Sequence, residues 1–339
     1  MSEAIFPLLG SLVVFGLVLP ASAVIVKLVF VALRRVETAG GLHASSGLRY
    51  VLLVASSAVP LAWFLSASLQ QVVTGDAAEV CAALHAPGAC CPESVLFAVV
   101  LSVLVALRGL PRLASTGRFG GDDPSESARE ARRRIDRTIV SASMLGPLAG
   151  RIILREDAAE PMATVGVVMR RVIVRPSLVA HLDEDELTAA LLHEGEHVRG
   201  YDPVRYLVAW WALAVNPVGH WVLGDELSRW ILLRETHCDR EAVLHGGSPP
   251  ALAQALVRAA RASMRPVVAG LCTGMPTALE LRVGLLLAYA ERAPERCCRS
   301  PALRLAMLAV GAALLLPHGT GTRVLDILHW ATERAFPWR

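Results

Sequence analysis

Residues Ile5–Leu33 form a run that is apolar except for Lys27, long enough as a helix to cross the hydrocarbon core of a bilayer. A second run, Tyr50–Val73, carries no charge at all, and a third, Ser94–Leu107, continues to Leu110. A fourth, Ala302–Leu316, is shorter and holds Arg304. The whole chain agrees with these runs: 54% of residues are hydrophobic, 19% are charged, and mean hydropathy is +0.49. That composition is too apolar for an ordinary soluble protein. The first run is too long for a cleaved signal, so it is expected to stay as an anchor. The expectation is a mainly α, multi-pass protein of the plasma or inner membrane, with about four transmembrane helices.

Basic residues set the expected orientation. Lys27, Arg34, Arg35 and Arg49 surround the first loop, whereas residues 74–93 hold Asp76, Glu79 and Glu93 but no Lys or Arg. After the third span come Arg108, Arg112, Arg118, Arg129 and the run Arg132-Arg133-Arg134. The positive-inside rule then places the N-terminus and loop 74–93 outside and the segment from Arg108 in the cytoplasm. Net charge is only +3 and no binding motif accompanies the basic run, so nucleic acid is not an expected partner. That run reads instead as solvated or lipid-facing. Cys81, Cys90 and Cys91 fall in the outside loop, where a disulfide is permitted although their pairing is open. Cys238, Cys272, Cys297 and Cys298 are expected to stay reduced.

Chemistry enters with His193-Glu194-Gly195-Glu196-His197. Histidines four apart on a helix stand on one face and can reach one metal ion, and the glutamate beside the first can take a proton from its bound water. The flanks favour a helix. Asp183 with Glu186 reads as a capping box, Glu184 and Asp185 suit the positive end of the dipole, and Gly200 with Pro203 offers a stop. A hydrolytic zinc takes three protein ligands and keeps one position open. The third is sought in Arg234-Glu235-Thr236-His237-Cys238-Asp239, where Glu235 and Asp239 share a helical face. Glu235 is assigned as ligand and Asp239 as the carboxylate that accepts a ligand histidine's ring N–H. His237 is a rival ligand pointing about 200° away around the helix, and His220 is a second alternative. One Zn2+ per chain is expected.

Gly120-Gly121-Asp122-Asp123-Pro124 breaks the chain before a charged helix from about Ser125 to Val140. The β-branched runs Arg151–Leu154 and Val165–Val174 read as strands. The apolar stretch Tyr206–Leu223 scores as a span, but a single crossing would part Glu235 from the histidines. It is therefore either a hairpin turning at Asn216-Pro217 or a packed helix pair. The expected organisation is a three-helix membrane region (1–110), a linker with charged helix (111–140), a zinc protease domain (141–296), and a membrane helix with amphipathic tail (297–339).

Asp202-Pro203, Asn216-Pro217 and Glu235-x-x-Cys238-Asp239, following the His193–His197 motif, resemble the BlaR/MecR-type family of membrane zinc metallopeptidases. Val165–Val168 and Val172–Pro176 resemble the strand pair that precedes the histidine helix in that family and in its HtpX-like cousins. The resemblance covers roughly residues 140–245 by motif. It implies a small α+β zincin-like (gluzincin) domain at the cytoplasmic face, with His193, His197 and Glu235 on zinc and an edge strand that pairs with extended substrate. Antibiotic-sensing members continue into a large extracellular penicillin-binding domain, for which no counterpart is expected before Arg339.

The leading functional expectation is an integral-membrane zinc endopeptidase in regulated signalling, with Glu194 as catalytic base and a protein substrate, a repressor being one candidate. A homodimer is left open. The alternatives are an HtpX-like quality-control protease and a non-enzymatic membrane receptor or scaffold.

Overall fold

The computed structural model describes residues 2–40, 46–74, 92–113, 121–263, 278–292 and position 327. The outside-loop cysteines Cys81, Cys90 and Cys91, the pair Cys297-Cys298, Cys272 and the run Ala302–Leu316 lie outside the described residues. The chain forms two compact units. One comprises Met1–Leu113, Val208–Trp230 and Arg299–Arg339, the other Ala114–Leu207 and Ile231–Cys298.

In the first unit, α1 (Ser2–Val13) runs through a π-helical turn (Val14–Val18) into α2 (Leu19–Gly40), and α3 (Ser46–Thr74) and α4 (Pro92–Leu113) follow. Two stretches, Leu8–Arg35 and Ser46–Leu65, are long and apolar enough to cross a membrane, and Leu96–Arg108 is a shorter apolar helix. Four spans were expected, so the described residues carry half that number at full length. Leu12, Leu17 and Leu28 point outward and are exposed, while Phe30, Phe64, Phe97 and Leu101 pack inside. An apolar exterior suits contact with lipid rather than water. Two polar side chains inside are bonded to backbone: Ser57 Oγ donates to the Ala212 carbonyl at 2.5 Å, and Asn216 Nδ2 to that of Leu19 at 2.6 Å.

Glu226 is the exception in this apolar surround. Its side chain is fully buried, and Arg34 Nη2 (2.9 Å), Lys27 Nζ (3.3 Å) and Arg49 Nη1 (3.4 Å) converge on its carboxylate. A buried carboxylate persists only with such compensation, because its desolvation costs several kcal/mol.

The second unit holds a charged helix, a small sheet and a helical layer. Helix α5 (Glu126–Ser141) starts at Ser125, whose hydroxyl accepts from Ala128 N at 3.2 Å. Ala128, Ala131, Ile135 and Thr138 recur at helical spacing and are buried, so one stripe faces the core. A 3₁₀ turn (Ser143–Leu148) leads to β1 (Ile152–Leu154), β2 (Met162–Val165) and β3 (Arg171–Val174). The order is β1-β3-β2, with β1 parallel to β3 (Ile152 opposite Val172) and β2 antiparallel (Met162 opposite Val174). Helices α6 (Pro176–His181), α7 (Glu184–Gly200), α8 (Asp202–Val215), α9 (Gly219–Leu244), α10 (Pro249–Ala262) and α11 (Ala278–Glu291) complete the described chain. Val172, Val174, Leu187, Leu191, Leu252 and Ala255 share one core between the sheet, α7 and α10.

Two local readings change. Val165–Val174 is not one strand, because the chain turns between Gly166 (φ +93°) and Arg170, leaving Val168 exposed in the turn. A Cβ at Gly166 would collide with the Met169 carbonyl oxygen, so the turn depends on glycine. The basic run after the linker is not simply solvated. Arg132 bonds Asp122 (2.6 Å) and the Ile152 carbonyl (2.8 Å), and Arg134 closes the end of α6 by donating to Val179 O (2.7 Å) and Leu182 O (2.9 Å). The Tyr206–Leu223 question resolves as two helices meeting at Asn216-Pro217. There Asn216 Oδ1 accepts from Val218 N at 3.2 Å, and its carbonyl accepts from Gly219 N at 3.0 Å.

Candidate metal centre

Helix α7 is fixed at its start by a complete capping box. Asp183 Oδ1 accepts from Glu186 N at 2.8 Å and Glu186 Oε2 from Asp183 N at 2.9 Å, satisfying two donors that a bare helix end would leave open. The expected stop at Gly200 takes a different form. The left-handed residue is Tyr201 (φ 57°), whose ring carries the Arg170 guanidinium 3.5 Å from its centroid. Gly200 serves another purpose: a Cβ there would strike Arg234.

One and a half turns before that end, His193 and His197 are buried side by side on one face. Their Nε2 atoms are 3.1 Å apart. Helix α9 brings Glu235 to both, with Oε2 3.5 Å from His193 Nε2 and Oε1 3.5 Å from His197 Nε2. Ligand bonds of about 2.0–2.1 Å in a tetrahedral zinc site put neighbouring ligand atoms about 3.3–3.4 Å apart. The two nitrogens and the Glu235 carboxylate, which turns one oxygen to each, thus stand at about the spacing of such ligands. On donor chemistry and on spacing the residues could hold a metal ion.

The outer nitrogens are held as the inner ones need. Asp202 Oδ2 lies 2.7 Å from His197 Nδ1, and Asp239 Oδ1 lies 2.9 Å from His193 Nδ1, the latter as an ionic contact off the line of a good hydrogen bond. A carboxylate at Nδ1 favours the Nδ1–H tautomer, which leaves the Nε2 lone pair for a metal. Both carboxylates are themselves anchored. Arg234 Nε is 2.8 and 2.7 Å from the two oxygens of Asp202, and Arg282 donates to Asp239 through Nε and Nη2 at 2.8 Å each. Arg282 Nη1 also reaches Glu235 Oε2 at 3.1 Å, and Tyr206 donates its hydroxyl to Glu235 Oε1 at 3.1 Å.

Electrostatics follow from this packing. Burial opposes charge on both histidines, but Asp239 and Glu235 raise the pKa of His193, and Asp202, with Cys238 and Glu235, holds His197 well above its ordinary value. Burial likewise opposes ionisation of Glu235, yet the two histidines hold its carboxyl well below the usual range. Asp239 and Asp202 are also depressed against burial, the first by Arg282 and His193, the second by His197 and Arg234. Burial pushes the Cys238 thiol up, and its Sγ sits 3.6 Å from His197 Nδ1.

A second donor group, His197, Asp202 and Cys238, is also close enough to hold an ion. Arg234 Nε stands within 2.8 Å of both oxygens of its carboxylate, whereas Arg282 keeps farther from the first group, 3.1 Å from Glu235 Oε2 and 3.5 Å from His193 Nε2, so a further cation at the second group would meet the closer positive charge. The His193–His197–Glu235 group is the better seat.

Glu194 is buried beside the pair, and its Oε2 accepts from Thr164 Oγ1 at 2.6 Å. His193, Glu194, His197 and Glu235 all line a cavity of about 430 Å³, bordered on one side by Met162, Ala163 and Thr164 of β2, an edge strand among the described residues. His237 does not join the group. It contacts Arg240 (3.2 Å) and Glu241 (3.8 Å), and burial with Arg234 and Arg240 pushes its pKa down to about 4. His220 lies against the ring of Trp210, 5.7 Å between centroids.

The sequence reading assigned no role to Thr164, Asp202, Tyr206, Arg234 or Arg282. Asp202 stands in the Asp202-Pro203 pair that carries the resemblance, and Arg282 is marked as the sole basic residue of the apolar helix α11. Compared with protein-family models, curated proteins and solved structures, the chain matches none.

Proposed function

We propose that this protein is a membrane-anchored zinc endopeptidase. The observation that carries the reading is the triangle of His193 Nε2, His197 Nε2 and a Glu235 carboxylate at 3.1–3.5 Å edges, with Glu194 beside it in the same cavity. His193, His197 and Glu235 would hold the ion, and the cavity they line would admit water or substrate beside it. Zinc bound there supplies a Lewis acid that polarises a carbonyl and makes water more acidic.

The chain's own residues do the rest. Asp202 and Asp239 orient the imidazoles, and Arg234 and Arg282 fix those carboxylates. Glu194 takes one proton from water as the water oxygen bonds to the scissile carbonyl carbon. It gives that proton to the amide nitrogen as the C–N bond breaks, so the base is regenerated. Among the described residues β2 is an edge strand, which an extended peptide can extend, and this favours a protein substrate over a small molecule. The basic residues flanking the apolar helices favour a cytoplasmic working face, and the resemblance to BlaR/MecR-type peptidases favours a regulated cut in a protein such as a repressor.

The test uses the full chain purified in detergent micelles, with zinc measured by mass spectrometry and cleavage of fluorescein-labelled casein. Parent protein should carry one zinc, Glu194→Gln should keep it and lose cleavage, and His193→Ala, His197→Ala and Glu235→Ala should lose the metal. A Glu235→Ala protein that binds zinc as tightly as the parent would sink the ligand assignment. Reporter tags near Gly121 and Gly247 should both report the cytoplasm, and opposite compartments would overturn the orientation.

A further inference from the structure

Glu194 has three rotatable side-chain bonds, and a base of that length needs something to hold its carboxylate in place. Among the described residues its carboxylate takes one side-chain hydrogen bond, from Thr164 at 2.6 Å. The same hydroxyl lies 3.3 Å from the Glu194 backbone carbonyl. A hydroxyl has one proton to give, and the shorter, charge-assisted contact takes it. The donor is well suited to the task. Thr164 sits in β2, where its antiparallel partner is Val172, whose side chain is fully buried. A β-branched side chain on a strand has few χ1 choices, so the hydroxyl is a stiff anchor.

Resting on the reading of Glu194 as the base, we propose that Thr164 is a positioning residue: its hydroxyl clamps Oε2 of Glu194 and leaves Oε1 for proton transfer in the cavity. The arrangement has a second consequence. The clamp is on the strand whose edge receives substrate in the proposed function, so the base is held to the same element as the peptide it serves. Displacing β2 displaces the base.

The experiment compares Thr164→Val, which keeps shape and removes the hydroxyl, with Thr164→Ser, which keeps the hydroxyl. Zinc-loaded full chain in micelles is tested on fluorescein-labelled casein. Hydrogen bonds to charged groups set the scale, and Thr164→Val should lower kcat by about 10–100-fold with KM and zinc content unchanged. Thr164→Ser should restore most of the rate. Binding of acetohydroxamate, measured by calorimetry, supplies a readout independent of turnover. Thr164→Val should weaken it in the parent and leave it unchanged in a Glu194→Ala background, which has no side-chain acceptor for the hydroxyl. Equal hydroxamate losses in both backgrounds would overturn the proposal, as would a Thr164→Val enzyme with parental kcat. A zinc-loaded parent that cuts no casein but shows the hydroxamate coupling would defeat the peptidase reading alone and leave the clamp standing.

Discussion

Arg234 holds Asp202 through a single nitrogen placed 2.8 and 2.7 Å from its two carboxylate oxygens, and both side chains are buried. Because Asp202 also touches His197 Nδ1 at 2.7 Å, a guanidinium on α9 is linked through one carboxylate to a nitrogen on α7. Asp239 stands in the same relation to Arg282 and His193.

Two parallel relays predict two graded phenotypes. Asp202→Asn and Asp239→Asn should each retain zinc at saturating metal, with affinity or activity lowered about 10–100-fold, the usual cost of losing a carboxylate behind a ligand histidine. His197→Ala or His193→Ala should cost far more. Competition with a chelator measures both, and complete zinc loss in Asp239→Asn with retention in Glu235→Gln would exchange the two acidic roles.

Gly200 gives a prediction with an unusual sign. Gly to Ala inside a helix normally stabilises by roughly 1 kcal/mol. Here a Cβ would strike Arg234 and come 3.0 Å from Asp202 Oδ1, so Gly200→Ala should lower the melting temperature and weaken zinc together. A more stable variant with parental zinc affinity would show that Arg234 can move aside freely.

Removing the buried carboxylate of Glu226 leaves Arg49, itself 5% exposed, without its contact at 3.4 Å. Breaking one side of a buried ion pair costs about 3–5 kcal/mol. Glu226→Gln should therefore unfold at clearly lower temperature in micelles, read by tryptophan fluorescence, whereas Asp225→Asn, whose carboxylate is 86% exposed, should change little.

Metal-free and zinc-loaded protein should respond oppositely to pH. His193 and His197 have raised pKa values in the folded chain, so their stabilising protonation is complete below the ordinary value of 6.5 and is lost as pH rises through the folded values. Glu235, Asp202 and Asp239 are depressed, so their contribution is full above the ordinary carboxylate range and fades as pH falls through the folded values. His237, held down to about 4, opposes the first pair by disfavouring the folded state increasingly below 6.5. Metal-free protein should thus lose stability from pH 6.5 to 8, and a His193→Gln/His197→Gln variant should lose that dependence. Zinc requires neutral imidazoles, so its affinity should rise over the same interval. A zinc affinity that falls from pH 6.5 to 8 would contradict the ligand set.

Much of this protein could be read from residue order because the signals are local. The capping pair Asp183 and Glu186 and the i,i+4 spacing of His193 and His197 lie within a few turns of one helix, and helical geometry alone sets their faces. The apolar runs announced Leu8–Arg35 and Ser46–Leu65 for the same reason, since length and hydropathy are properties of a segment. Even the choice of Glu235 over His237 was framed by angle around a helix. Tertiary structure decided what depends on distant chain segments meeting. Thr164 precedes Glu194 by 30 positions and Arg282 follows Asp239 by 43, and no periodicity connects either pair. Gly200 looked like a helix stop and is a seat for Arg234, because only packing reveals what a missing side chain makes room for. A sequence states which groups can bond along one element. Which donor comes to rest against a buried carboxylate is settled by how helices and strands pack, since each buried charge must find its partner wherever the fold brings one.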